Sequence, residues 1–159
     1  MKFPSRFPML AATLLLIALP QANAAGLAET LKAQAELSTL QKAVEAAGVA
    51  DALAAAPAIT VLAPTNEAFA ALPAGTLDSL LAPAGKSQLE ALLNRHVVAS
   101  AYDVNALKLR RTVVTLAGSE VRPGLVRGKL RLNGEIRVAA RAIRIDNGYV
   151  LVIDRVLAP

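Results

Sequence analysis

Cysteine is absent from the 159 residues, and histidine occurs once, as His96. Without cysteine there is no disulfide framework, no thiol nucleophile and no cysteine-ligated zinc site. With one imidazole, a Ser-His or Cys-His catalytic arrangement has almost nothing to draw on. Aromatic residues are scarce as well: two Tyr and three Phe, with Phe3 and Phe7 in the first ten positions. Charged residues make up only 18% of the chain, and the formal net charge is +5. What is abundant is apolar: 55% of the residues are hydrophobic, which excludes a disordered or polar low-complexity chain. A chain of this length makes one domain, with room for a short extra segment.

Residues 1–24 read as a secretory signal peptide. Lys2 and Arg6 give a positive start, Met9 to Leu19 is an apolar core of eleven residues, Pro20 breaks it, and Ala22-Asn23-Ala24 has the small-x-small form of a cleavage site. The core is shorter than the roughly 20 residues of a spanning helix. No cysteine follows it to carry a lipid, so no stable membrane anchor is expected; the alternative is an uncleaved N-terminal anchor. Cleavage after Ala24 leaves residues 25–159, with 15 Lys+Arg against 12 Asp+Glu, a net +3. The expected location is the bacterial periplasm or the cell exterior.

The remaining chain divides into a helical half and a strand half. Leu27 to Ala47 is rich in good helix formers, and Leu37, Leu40, Val44 and Ala47 fall on one face. Gly48 ends that helix as a left-handed cap, and a short helix over Val49 to Ala55 stops before Pro57. Ile59 to Leu62 is an apolar, β-branched strand closed by Pro64, after which Thr65 or Asn66 caps a helix from Glu67 to Leu72. Thr76 is placed as the cap of a short turn to Leu81. Ser87 to Glu90 reads as a capping box, with Leu89, Leu92, Leu93 and His96 on one helical face behind it. From Val113 on, Gly118, Pro123-Gly124, Asn133-Gly134 and Asn147-Gly148 punctuate short strands. The last strand, Tyr149 to Val156, is almost wholly apolar and is expected to be buried on both faces. For the hairpin at Asn133-Gly134, a three-residue loop over Leu132 to Gly134 pairs Arg131 with Glu135 and Leu130 with Ile136, keeping the polar and apolar faces separate.

Several of these segments resemble one family in order and spacing. Thr60-Val61-Leu62-Ala63-Pro64-Thr65-Asn66-Glu67-Ala68-Phe69 resembles the first signature box of the fasciclin domain. His96-Val97-Val98 resembles its Tyr-His segment, and Asn147-Gly148 through Asp154 to Leu157 its closing box. The resemblance implies an α+β fold, a bent β-wedge or sandwich of short strands packed with a helical layer. Residues 25–36 are then a helical lead-in and 37–159 a single fasciclin-like domain. It further implies adhesion, matrix contact or surface association, with no enzymatic activity, no cofactor and no metal. The chain departs from the family pattern at three places. Arg95 stands where the family has tyrosine, Leu151 where a histidine is usual, and Ala142 near a common acidic position, where one extra residue is inserted. These changes favour packing over polar chemistry.

Two readings stand for each polar feature. Arg95 and His96 belong either to a recognition surface or, for His96, to a buried hydrogen-bonded pair holding helix to sheet. Thr60, Pro64, Thr65, Asn66, Phe69, Asn147, Gly148 and Asp154 are the signature positions. Their plainest explanation is structural: caps, turns and packing. Glu67 shares a loop with Thr65 and Asn66 that follows a strand and has the alternative of facing a ligand. Between Lys108 and Arg144 lie ten Lys+Arg and two acidic residues, so the rest of 25–159 carries five basic against ten acidic residues, or −5. Arg127, Lys129 and Arg131 on one strand face, with Arg137 across from them, form a cationic stripe. Such a stripe attracts anionic partners, or serves only as a solvated face protecting an edge strand. Nucleic acid is not expected, because no aromatic lies between Tyr102 and Tyr149 to stack bases. The expected function is a non-enzymatic module contacting a cell-surface or matrix protein or glycan. The alternative is an envelope protein that binds polyanions or anionic glycans through residues 127–144.

Overall fold

The computed structural model describes residues 26–157; the expected signal peptide lies outside them. Strand β1, Ile59–Pro64, is buried along its whole length, and the architecture is organised around it. It pairs in parallel with β8, Gly148–Ile153, from Ile59 opposite Gly148 to Pro64 opposite Ile153. On its other side it pairs antiparallel with β2, Val97–Val98. Outward from β8 run β7 (Ile136–Ile145), β6 (Lys129–Leu132) and β5 (Pro123–Val126), all antiparallel, so the six-stranded sheet has the order β2-β1-β8-β7-β6-β5. A separate pair joins β3 (Val113–Val114) to β4 (Glu120–Val121). The architecture is α+β with a curled mixed sheet, as the fasciclin resemblance implied.

Alternation along β1 explains why both of its faces are apolar. Ile59, Val61 and Ala63 point into one buried cluster, and Leu62 into another. The first cluster is the helical layer: Leu31, Leu37, Leu40 and Val44 pack with Phe69, Leu89 and Leu93 against the sheet. The second lies within the curl of the sheet, where Leu130, Leu132, Ile136 and Val138 meet Leu151 and Ile153. Val150 and Leu151, which face the two clusters from opposite sides of β8, are both fully buried, so the closing strand is enclosed on both faces; it ends at Ile153, short of the expected Val156, and Asp154 and Arg155 are exposed.

The helical half departs from the expectation at its first helix. The run from Leu27 to Ala47 is broken at Gln34 into α1 (Leu27–Ala33), a 3-10 turn (Ala35–Leu37) and α2 (Ser38–Ala47). No local side chain caps α2. The cap comes from Asn66, which accepts from the Thr39 amide at 2.9 Å and donates to the Ala35 carbonyl at 3.0 Å. The break is thus held by a tertiary contact that helix propensity cannot register. Gly48 does close α2, at φ 70, with its amide 3.1 Å from the Val44 carbonyl. The short helix after it is α3, Ala50–Ala55.

Thr65 caps α4 (Asn66–Ala70) by accepting from the Ala68 amide at 3.2 Å. The other two expected caps are corrected. Helix α5 (Thr76–Leu81) starts after Gly75 at φ 80, with Thr76 already inside it. Helix α6 (Lys86–Arg95) follows directly from a 3-10 turn over Pro83–Gly85, which places Ser87 within the helix and leaves no capping box. The last helix is α7, Val104–Lys108, capped by the Asp103 carboxylate, which accepts from the Ala106 amide at 2.7 Å.

The strand half corrects two register expectations. In the β6–β7 hairpin Leu132 lies opposite Ile136 and Arg131 opposite Arg137, two residues along from the expected pairing. The apolar face survives because the offset is even. Asn133 and Gly134 both take positive φ, 53 and 79, in a turn closed by the Glu135 amide on the Leu132 carbonyl at 3.2 Å. Asn133 also receives the Arg122 amide on its side chain at 3.0 Å, which pins the turn to the chain entering β5. Arg127 does not lie on a strand. With Gly128 it forms the β5–β6 turn, at φ 51 and 76, a two-residue connection with Val126 opposite Lys129. The insertion near Ala142 is larger than expected: between the Val138–Ile153 and Ala142–Leu151 pairs, three β7 residues face Val152 alone. Two surplus residues make a bulge.

Candidate functional site

His96 sits at the C-terminus of α6 and is 2% exposed. Its Nε2 accepts the Leu157 amide at 2.9 Å, so that nitrogen carries no proton. The proton is therefore on Nδ1, which donates to the Leu92 carbonyl at 2.7 Å. Burial pushes the imidazole down to about 4; the Leu92 bond opposes the shift and the neighbouring Arg95 adds to it. The ring is a neutral bridge between the end of α6 and the C-terminal segment. It has no surface to offer a partner, which corrects its place among the contact candidates. Arg95, the last residue of α6, is half-buried.

The signature positions also act in the framework. The Thr60 hydroxyl donates to the Ser100 carbonyl at 2.6 Å and accepts the Tyr102 amide at 2.7 Å, tying β1 to the segment before α7. Asn66 and Thr65 serve the two helix starts described above, and Phe69 fills the helical core. Asn147 donates to the carbonyls of Leu53 at 2.7 Å and Ala56 at 2.9 Å, fastening the end of α3 to the β7–β8 turn. Gly148 lies so close to the Ile59 carbonyl that a Cβ there would overlap it. Pro64 is buried at the end of β1.

The cationic stripe is partly neutralised. Asp154 accepts the Arg137 amide at 2.8 Å, and its second oxygen stands 3.9 Å from the Arg137 guanidinium. Arg155 pairs with Glu135 at 3.8 Å, rather than with Asp154. Both ion pairs are solvent-exposed and worth at most about 1 kcal/mol. Among the described residues, Arg127, Lys129 and Arg131 form no ion pair. Arg127 is exposed in its turn, Lys129 is exposed on β6, and Arg131 is half-buried with its Nε unbonded. Lys129, Arg131 and Arg137 share one face across the β6–β7 pair, so the stripe is real but shorter than expected and carries one compensated charge.

Beside the β7 bulge opens a cleft of about 440 Å³. Its deep walls are the buried Val104, Leu130, Val138 and Ile153. Ala139 and Ala140 of the bulge line its outer part, where larger side chains would fill it. Lys108 from α7 and Lys129 stand exposed at its edge, and Asp154 lies in the wall, engaged by Arg137. The cleft was not anticipated. The surplus residues near Ala142 were its one trace in the sequence. Among the described residues no group of three or more His, Asp or Glu is placed to hold a metal ion, and no helix is long and apolar enough to cross a membrane.

The family model for the Fasciclin domain matches residues 35–159. Protein sll1483 of Synechocystis is 42% identical over 77% of this chain and 67% of its own length. A second Synechocystis protein, sll1735, is 37% identical over 76% of this chain and 87% of its own length. The pig transforming growth factor-beta-induced protein ig-h3 is 34% identical, over 17% of its length, so the chain spans a small part of that larger protein. Among solved structures, a FAS1 domain pair from the insect cell adhesion molecule fasciclin I superposes with a TM-score of 0.65 at 18% identity, covering 86% of this chain and 52% of that one. The sequence match, the bacterial relatives and the common fold agree, and the chain belongs to the Fasciclin domain family.

Proposed function

We propose that this protein is an exported, non-enzymatic contact module that holds a cell surface or matrix to a protein or glycan partner. The observation that carries the reading is membership of the Fasciclin domain family, with similarity to ig-h3 and the fold of the insect cell adhesion molecule fasciclin I in support. In support, the signature residues are spent on framework contacts, which leaves the outer faces to do the binding. Residues 1–24 act as the signal peptide and direct the chain to the periplasm or beyond. Mass measurement of the protein recovered from outside the cytoplasm tests this part, with an N-terminus at Ala25 expected.

A second reading rests on a separate observation. Lys129, Arg131 and the turn residue Arg127 present cations without acidic partners among the described residues, on the outer part of the sheet. They suit an anionic envelope polymer or glycan. Retention of the purified protein on an envelope fraction across a salt series separates the two readings. Contact dominated by these cations is lost by moderate salt, because screening shortens the reach of exposed charges. A specific apolar or protein contact resists salt. No retention at any salt concentration would sink both.

A further inference from the structure

We propose that the cleft beside the β7 bulge is a binding site for a single-chain amphiphilic anion, an alkyl carboxylate with its chain inside and its head at the edge. This goes beyond the contact reading and does not depend on it. Three features converge on that class of ligand. The volume, about 440 Å³, lies within the roughly 300–1,000 Å³ of small-molecule sites. The deep walls are aliphatic: Val104 from α7, Leu130 from β6, Val138 from β7 and Ile153 from β8. An alkyl chain placed there leaves water for an apolar lining. The edge carries Lys108 and Lys129, ammonium groups from two different elements that form no ion pair among the described residues. The carboxylate in the wall, Asp154, is already held by the Arg137 amide and guanidinium, so it does not neutralise the lysines first.

The backbone adds a reason for the cleft to exist at all. A regular β7–β8 ladder would set each β7 residue against a β8 partner. Here Ala139, Ala140 and Arg141 lie opposite Val152 alone, so the strand leaves the ladder where the cleft opens. Two consecutive alanines at that point put the smallest side chains where bulky ones would close the space. A bare polyanion needs none of this apolar depth, and a neutral hydrocarbon needs neither lysine. The combination selects an amphiphile with one negative head.

The test is titration of dodecanoate, kept below its micelle-forming concentration, into the isotope-labelled protein at neutral pH and low salt. The readout is the backbone amide shifts. Saturable shifts are expected at Leu130, Val138 to Ala140 and Val152. Acetate and dodecanol should each bind about tenfold more weakly or worse, since each lacks one of the two contacts. Lys108→Gln with Lys129→Gln should weaken dodecanoate about five- to tenfold and leave dodecanol unchanged. Both lysines are exposed, so this variant keeps its fold. Ala140→Trp should fill the cleft and abolish the shifts, with the melting curve checked alongside. Acetate binding as tightly as dodecanoate would reduce the site to plain charge attraction and overturn the proposal. So would dodecanol binding equally well, shifts mapping elsewhere, or association only with anionic phospholipid vesicles and not with the free amphiphile.

Discussion

Neutral His96 is a condition of this fold, and acid should therefore weaken it in a defined window. In the unfolded chain an imidazole titrates near 6.5, whereas burial lowers the folded value to about 4. Between these values the unfolded chain holds the extra proton, so stability rises with pH across the window. The contribution is fully present above about 6.5 and is lost as pH falls toward about 4. A separation of that size is worth about 3 kcal/mol. Structurally, a proton on Nε2 turns an acceptor into a donor aimed at the Leu157 amide, and the C-terminal segment loses its hold on α6. Urea unfolding of the native chain and of His96→Gln at several pH values isolates the effect, because the carboxylates titrate in both. At neutral pH the variant should be less stable by roughly 2–4 kcal/mol, the cost of orphaning a buried amide and losing ring packing. By pH 4 most of that difference should vanish. A gap between the two proteins that stays constant from pH 7 to pH 4 would refute the protonation argument.

Other substitutions probe the same framework. Leu151→Asp puts an unpaired carboxylate at a fully buried position in the cluster within the curl of the sheet, and chemical denaturation should show a loss of more than about 4 kcal/mol or no folded state. Asn66→Ala removes the cap that reaches α2 from another element. A loss of about 2 kcal/mol is expected by thermal unfolding, with Asn66→Asp recovering part of it through the Thr39 contact. Arg127→Glu with Lys129→Glu should leave the melting temperature within a degree or two while shifting salt-dependent retention on envelope material. Unchanged retention would remove the cationic face from the contact.

The local parts of the fold were legible because their causes are local. The β-branched run before Pro64, the threonine cap behind it, the glycine closing α2 and the apolar closing strand all carry their reasons within a few residues. His96 was legible as a buried, hydrogen-bonded group that ties its helix down, but the identity of its second partner was not, since Leu157 lies 61 positions away. The break at Gln34 was illegible for the same reason: the side chain that holds it belongs to α4. Arg127 was assigned to a strand by its alternation with leucines, and the freedom of Gly128 to adopt positive φ decided otherwise. The hairpin register slipped by two because hydrophobic alternation cannot distinguish even offsets. The cleft depends on surplus residues in one strand relative to another, a count that becomes definite only when both strands are placed.

The parallel pairing of β1 with β8 has a consequence for how the chain comes into being. Ile59 waits for Gly148, 89 positions later, so the central strand has no parallel neighbour until nearly all of the polypeptide has left the ribosome. The helices can collapse early, but the sheet they cover cannot close, and such long-range closure makes folding slow relative to local helix formation. A nascent chain of this topology therefore keeps the apolar face of its helical half uncovered until its last strand arrives, and that interval is when it is most exposed to wrong partners.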